Sequence, residues 1–139
     1  MKVSEIMTKE VRCVTPDTSL KQAAEIMRDI NVGSLPVCDD SGIMGIVTDR
    51  DIVVRSVAEN KIAESETVKN IMTYNAATVS PSMHAEEAAK LMAKNRIRRI
   101  PVVENQAVVG IVSLGDLASD MRFDVEASEA LAEISIPVK

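Results

Sequence analysis

A chain that matches itself along most of its length is constrained to fold as two like units, and this one repeats without a gap. Val3-Ser4-Glu5-Ile6-Met7-Thr8 matches Val68-Lys69-Asn70-Ile71-Met72-Thr73, an offset of 68 − 3 = 65 residues. At the same offset Val14-Thr15-Pro16 falls on Val79-Ser80-Pro81, Ala23-Ala24 and Met27 on Ala88-Ala89 and Met92, and Leu35-Pro36-Val37 on Ile100-Pro101-Val102. Gly45-Ile46-Val47-Thr48-Asp49-Arg50-Asp51 falls on Gly110-Ile111-Val112-Ser113-Leu114-Gly115-Asp116. Such internal similarity decides the fold before any local preference does.

Hydrophobic period then divides each copy. Residues 11–14 read as a short strand closed by Thr15-Pro16-Asp17, whose proline opens a helix. Leu20, Ala23, Ala24 and Met27 recur at i, i+3, i+4 and i+7, the stripe of an amphipathic helix, and Ala85, Ala88, Ala89 and Met92 repeat it. Residues 35–38 and 43–47 are β-rich runs around Asp39-Asp40-Ser41-Gly42, a hairpin turn, and a second helix starts near Asp49. The expectation is an α/β protein of the α+β type, each copy strand-helix-strand-strand-helix, with the two packed sheet to sheet as one module. The expected boundaries are 1–60, a linker at 61–67, 68–123, and a C-terminal acidic amphipathic helix and tail at 124–139. In that helix Ala127, Ala130, Leu131 and Ile134 share one face and require a partner surface.

Composition narrows the function. Sixteen Lys and Arg against 21 Asp and Glu leave a formal charge of −5, which disfavours an electrostatic grip on nucleic acid or anionic lipid. Apolar residues make up 46% of the chain with one Tyr, one Phe and no Trp, so the core is aliphatic. No run approaches the roughly 20 apolar residues of a membrane span, and no secretory signal opens the sequence, so a cytoplasmic protein is expected. Cys13 and Cys38 are expected to be buried free thiols, Met27 and Met92 core fillers, and the sole histidine, His84, a surface residue without metal-ligand spacing. The chain has no nucleophile elbow, Walker-type loop or Cys-His pair, so an enzyme is not expected.

The last strand-to-helix junctions carry Thr48-x-x-Asp51 and Ser113-x-x-Asp116. A carboxylate can accept from two adjacent sugar hydroxyls, and a hydroxyl three positions earlier lies on the same side of the turn, which together suit a nucleotide. The same spacing is also a capping box, hydroxyl at N-cap and acid at N3, which leaves capping alone as the competing reading. Under that reading Gly45 and Gly110 have no role unless they mark close backbone packing.

The duplicated unit with these junction motifs resembles the tandem CBS domain family, the Bateman module, over residues 3 to about 118. The resemblance implies a regulatory cleft for AMP, ADP, ATP or a related adenosyl ligand, with no cofactor required. It implies half-sites at Thr15, Ser34, Thr48, Arg50 and Asp51, and at Ser80, Arg98, Arg99, Ser113 and Asp116. Related modules place His or Arg against phosphates where this chain has Arg96, Arg98 and Arg99. The first copy has Asn31, Gly33 and Ser34 there, and Asp49 adds repulsion. A homodimer is implied, since helix faces such as Ile52-Val53-Val57 need cover, along with an effector protein as a further partner. The alternative is a scaffold of the same fold that binds no ligand.

Overall fold

A computed structural model describes residues 1–119 and 124–137; the expected boundary at Phe123 and the last two residues of the tail lie outside the described residues. The chain forms two compact units that cut across the sequence repeat. One is Arg12–Ala76, and the other joins Met1–Val11 to Ala77–Lys139.

In the unit 12–76, helix α1 (Leu20–Ile30) precedes strands β1 (Ser34–Asp39) and β2 (Gly42–Thr48), helix α2 (Asp49–Arg55) and a two-residue strand β3 (Thr73–Tyr74). Ser19 caps α1 by accepting from the Gln22 N–H at 3.1 Å while Gln22 Oε1 accepts from the Ser19 N–H, a capping box. The strands form one antiparallel sheet in the order β1-β2-β3. Leu20, Ala23 and Met27 pack with Leu35, Val37 and Val47 into an aliphatic core. Ala24, expected on the buried stripe, is exposed.

In the other unit, helix α3 (Ala85–Asn95) precedes strands β4 (Arg99–Glu104) and β5 (Ala107–Ser113) and helices α4 (Leu114–Ala118) and α5 (Asp124–Ile134). The β4–β5 hairpin turns on Asn105 and Gln106, both at positive φ, as a two-residue primed turn requires. Ala85, Ala88, Ala89 and Met92 are all buried, with Ile100, Val102, Val112 and Leu117. The apolar face of α5 finds cover within its own unit, where the helix packs on α3 and α4 through Ala127 and Ala130, whereas Leu131 stays 45% exposed.

The expected opening strand of each repeat is a single residue wide. Val14 makes a parallel bridge to Val37, and Val79 to Val102, because Pro16 and Pro81 follow at once and cannot donate to a ladder. More consequential is an exchange of segments. Residues 68–74 complete the first hairpin: Thr73 pairs with Ile46 of β2, and the Val68 and Lys69 N–H groups donate to Thr18 O and Pro16 O at 2.9 and 3.0 Å. Residues 3–8 do the same for the second hairpin, Thr8 pairing with Ile111 and the Val3 and Ser4 N–H groups donating to Met83 O and Pro81 O at 2.8 and 3.0 Å.

This exchange accounts for the two strand glycines. A Cβ on Gly45 would stand 2.1 Å from the Thr73 carbonyl oxygen, and one on Gly110 would stand 2.6 Å from Met7 Sδ and 3.0 Å from Thr8 O. The glycines therefore let the exchanged segment lie against the sheet.

Candidate functional site

Both junction motifs are formed as capping boxes. The Thr48 N–H donates to Asp51 Oδ2 and the Asp51 N–H to Thr48 Oγ1, each at 3.0 Å. The Ser113 N–H donates to Asp116 Oδ2 at 2.9 Å, and the Asp116 N–H to Ser113 Oγ at 3.0 Å. Capping is thus satisfied in both units, and the glycines have a packing role, so neither feature by itself demands a ligand. Asp51 is 9% exposed, and its other oxygen, Oδ1, lies 3.8 Å from Arg55 Nε. Among the described residues Asp116 Oδ1 has no such cation.

The units differ in the charge they bring beside these caps. In the unit completed by residues 1–11, Arg98 and Arg99 open β4, Arg99 is the cross-strand partner of Ser113, and the Leu114 N–H donates to Arg98 O at 2.8 Å. Both arginines are exposed, and neither has a carboxylate partner among the described residues. They line a cavity of about 580 Å³ together with Ser113 and with Leu114, Gly115 and Ala118 of α4. Its remaining wall is Ala127, Ser128 and Leu131 of α5. A volume of this size is typical of small-molecule sites, roughly 300–1,000 Å³. Asp116 does not line the cavity, nor does Ser80, whose Oγ lies 3.3 Å from Ser82 Oγ.

In the unit 12–76 the matching backbone bond runs from the Asp49 N–H to Gly33 O at 2.9 Å, so the frame is the same. The chemistry is reversed. A Cβ on Gly33 would stand 3.1 Å from Asp49 Oδ2, so a carboxylate occupies the space into which an arginine side chain would start. Ser34 is the cross-strand partner of Thr48, Thr15 bonds its neighbour Thr18, with their Oγ1 atoms 3.1 Å apart, and Arg50 is exposed.

Arg96, at φ 56° just past α3, donates one guanidinium N–H to the Ile136 carbonyl. Two sequence expectations need correction here. Cys13 and Cys38 are free but half-buried. Burial, then the neighbouring Cys13 thiol, push the Cys38 thiol up to about 12. Finally, α5 contributes Ser128 and Leu131 to the cavity, where the sequence pattern marked it only as a helix seeking a partner surface.

Among the described residues no group of three or more His, Cys, Asp or Glu is placed to hold a metal ion, and no helix is long and apolar enough to cross a membrane. Met27 and Met92 are buried in the cores, and His84 is exposed at the N-cap of α3.

Known proteins resemble this chain over nearly its whole length. The CBS domain-containing protein YhcV of Bacillus subtilis (strain 168) is 38% identical over 133 residues, covering 96% of this chain and 94% of its own. The crystal structure of Hypoxic Response Protein I with two coordinated zinc ions superposes with a TM-score of 0.80 at 32% identity, covering 87% of this chain and 99% of that one. The CBS domain pair of protein MJ0100, in complex with 5′-methylthioadenosine and S-adenosyl-L-methionine, gives 0.77 at 31% identity, covering 86% and 94%. The family model for the CBS domain matches twice, at residues 3–57 and 68–122, and with these motifs and this repeat the chain belongs to the CBS domain family.

Proposed function

We propose that this CBS pair is a regulatory module that binds an adenine nucleotide, AMP, ADP or ATP, in the cavity at Arg98, Arg99 and Ser113, without turning it over. The observation that carries the reading is the pair of guanidinium groups that, among the described residues, lack carboxylate partners and that open on a cavity of about 580 Å³. Guanidinium offers phosphate a bidentate, charge-assisted contact. A relative of the same fold holds two adenosyl compounds, which supports the adenosine half of the ligand. Ser80 and Asp116 do not line the cavity, so we assign them to this half-site only for the part of the ligand that extends beyond it. Thr15, Ser34, Thr48, Arg50 and Asp51 form the second half-site, where Asp49 disfavours a phosphate.

Occupancy passes to an effector through a homodimer. Val53, Val54 and Val57, on and just past α2, are exposed and apolar, a face suited to a second copy. Two unpaired thiols suit the cytoplasm.

The test is calorimetry with AMP and with adenosine at low and high salt. Charge-assisted contacts of about 1.5–3 kcal/mol predict that AMP binds roughly ten- to a hundredfold more tightly, and that salt narrows the gap. Arg98→Ala with Arg99→Ala should bring the two affinities together. Equal affinities in the natural chain overturn the phosphate role of the arginines. No heat with either compound overturns the proposal and favours the second reading, a ligand-free scaffold, which is supported by the complete capping boxes and the packing role of Gly45 and Gly110. Light scattering at tens of micromolar tests the dimer, and a monomer there refutes it.

A further inference from the structure

α5 lies beyond the second stretch matched by the family model, which ends at residue 122, yet it supplies part of the cavity wall. Its two neighbouring stripes do different work. Ala127 and Ala130 are buried against α3 and α4, their small side chains allowing close approach, and Ile134 packs on the same core. Ser128 and Leu131 line the same cavity as Arg98 and Arg99, and Leu131 remains 45% exposed. Past the helix, the Ile136 carbonyl accepts from Arg96, which sits three residues before Arg99 on the connection from α3 to β4. The unit 12–76 has nothing equivalent on its first helix. Ala24 is exposed there, whereas its counterpart Ala89 is 2% exposed.

We infer that α5 is the element that registers ligand occupancy: a ligand held by Arg98 and Arg99 touches Ser128 and Leu131, and its binding fixes α5 on α3 and α4. This inference rests on the nucleotide reading of the cavity. The wall is chemically mixed, with cationic groups from the start of the β4–β5 hairpin and a leucine and a hydroxyl from α5. That combination suits a ligand with an anionic end and a flat apolar body, as AMP has. A ligand that contacts both sets of groups binds only while α5 is docked, so by linkage it opposes undocking in proportion to its saturation.

The experiment is hydrogen exchange on the full chain with and without AMP, read at the amides of residues 127–134, beside calorimetry on the same samples. At AMP about 100 times its Kd, openings that release α5 should slow roughly a hundredfold. Leu131→Ala, at a half-exposed position, should leave the thermal midpoint close to that of the natural chain. It should weaken AMP roughly fivefold through lost apolar contact. The protection should vanish in Arg98→Ala with Arg99→Ala. AMP heat that Arg98→Ala abolishes, with no change in α5 exchange, overturns the role of α5 and leaves the site standing. No heat with AMP or ATP overturns the nucleotide reading, and the role of α5 with it.

Discussion

Replacing Gly45 by alanine sets two effects of opposite sign against each other. Gly45 is not at positive φ, so alanine fits the backbone, and the smaller entropy of the unfolded chain would by itself stabilise by about 0.4–1 kcal/mol. Against that, the new Cβ would lie 2.1 Å from Thr73 O and 2.7 Å from Met72 Cε. A methionine end can turn aside, but the carbonyl belongs to the backbone of β3, paired to β2 at Gly45↔Tyr74 and Ile46↔Thr73. Overpacking of this kind costs about 1–3 kcal/mol, and the rigid obstacle puts Gly45→Ala at the upper end, a net loss of about 2 kcal/mol. The thermal midpoint should fall by roughly 5–10 °C. Gly110→Ala is the internal control. Its nearest obstacle is the flexible Met7 side chain, with Thr8 O at 3.0 Å, so its net loss should stay under about 1 kcal/mol. Urea unfolding followed by circular dichroism measures both. Tyr74, the only tyrosine in a chain without tryptophan, stands on β3 and donates to Lys69 O at 2.7 Å, so its emission reports the segment directly. Equal losses in the two variants, or a stable Gly45→Ala with unchanged Tyr74 emission, would refute the close-approach argument.

Arg55→Ala removes a guanidinium that donates to Ile71 O and Met72 O at 3.1 and 3.3 Å and also faces Asp51; a loss of about 1–2 kcal/mol in urea unfolding is expected, with none at the other hairpin by hydrogen exchange. Asp116→Ala breaks a capping box, so stability should fall by about 1 kcal/mol even without nucleotide, whereas a ribose contact would show only as weaker AMP binding. The Cys38 thiol is raised in the folded chain, which therefore holds its proton more tightly than the unfolded chain does. The stability this contributes is complete below the ordinary thiol pKa of about 8.5 and is lost as pH rises toward about 12. Cys38→Ser should accordingly show a shallower decline of the urea midpoint between those limits, and parallel curves would contradict it. Asp17→Ala removes an exposed ion pair to Lys69 at 3.1 Å and should change stability by less than about 1 kcal/mol.

The repeat made most of this fold legible. Hairpins at 34–48 and 99–113, the helices before and after them, and the Thr48 and Ser113 caps all follow from local signals written twice. What was not legible depends on distance along the chain. Val3-Ser4-Glu5-Ile6-Met7-Thr8 and its copy at 68–73 have the same pattern, so nothing local says that each completes the hairpin of the other repeat. Gly45 and Gly110 carried that information, but only as a gap that some backbone must fill. Ala24 and Ala89 are likewise indistinguishable by period, and only α5, outside the repeat, buries one and leaves the other exposed. At the site, the opposition of Arg98 to Gly33 and of Leu114 to Asp49 was readable as charge. The cavity was not, because a third of its wall comes from a helix whose stripe signalled burial without naming a partner.

The exchanged segments give the two units different histories on the ribosome. Residues 12–76 are contiguous and contain their own completing strand, so that unit has all its parts once residue 76 has left the exit tunnel. Residues 3–8, made before that unit, include Thr8, which pairs with Ile111, whose synthesis comes about 100 residues later, roughly 5–20 s at ordinary elongation rates. Through that interval Val3, Ile6 and Met7 have no permanent burial place and are open to chaperones and proteases. Damage to residues 3–8 would therefore surface as a folding defect in a hairpin made about 100 residues later.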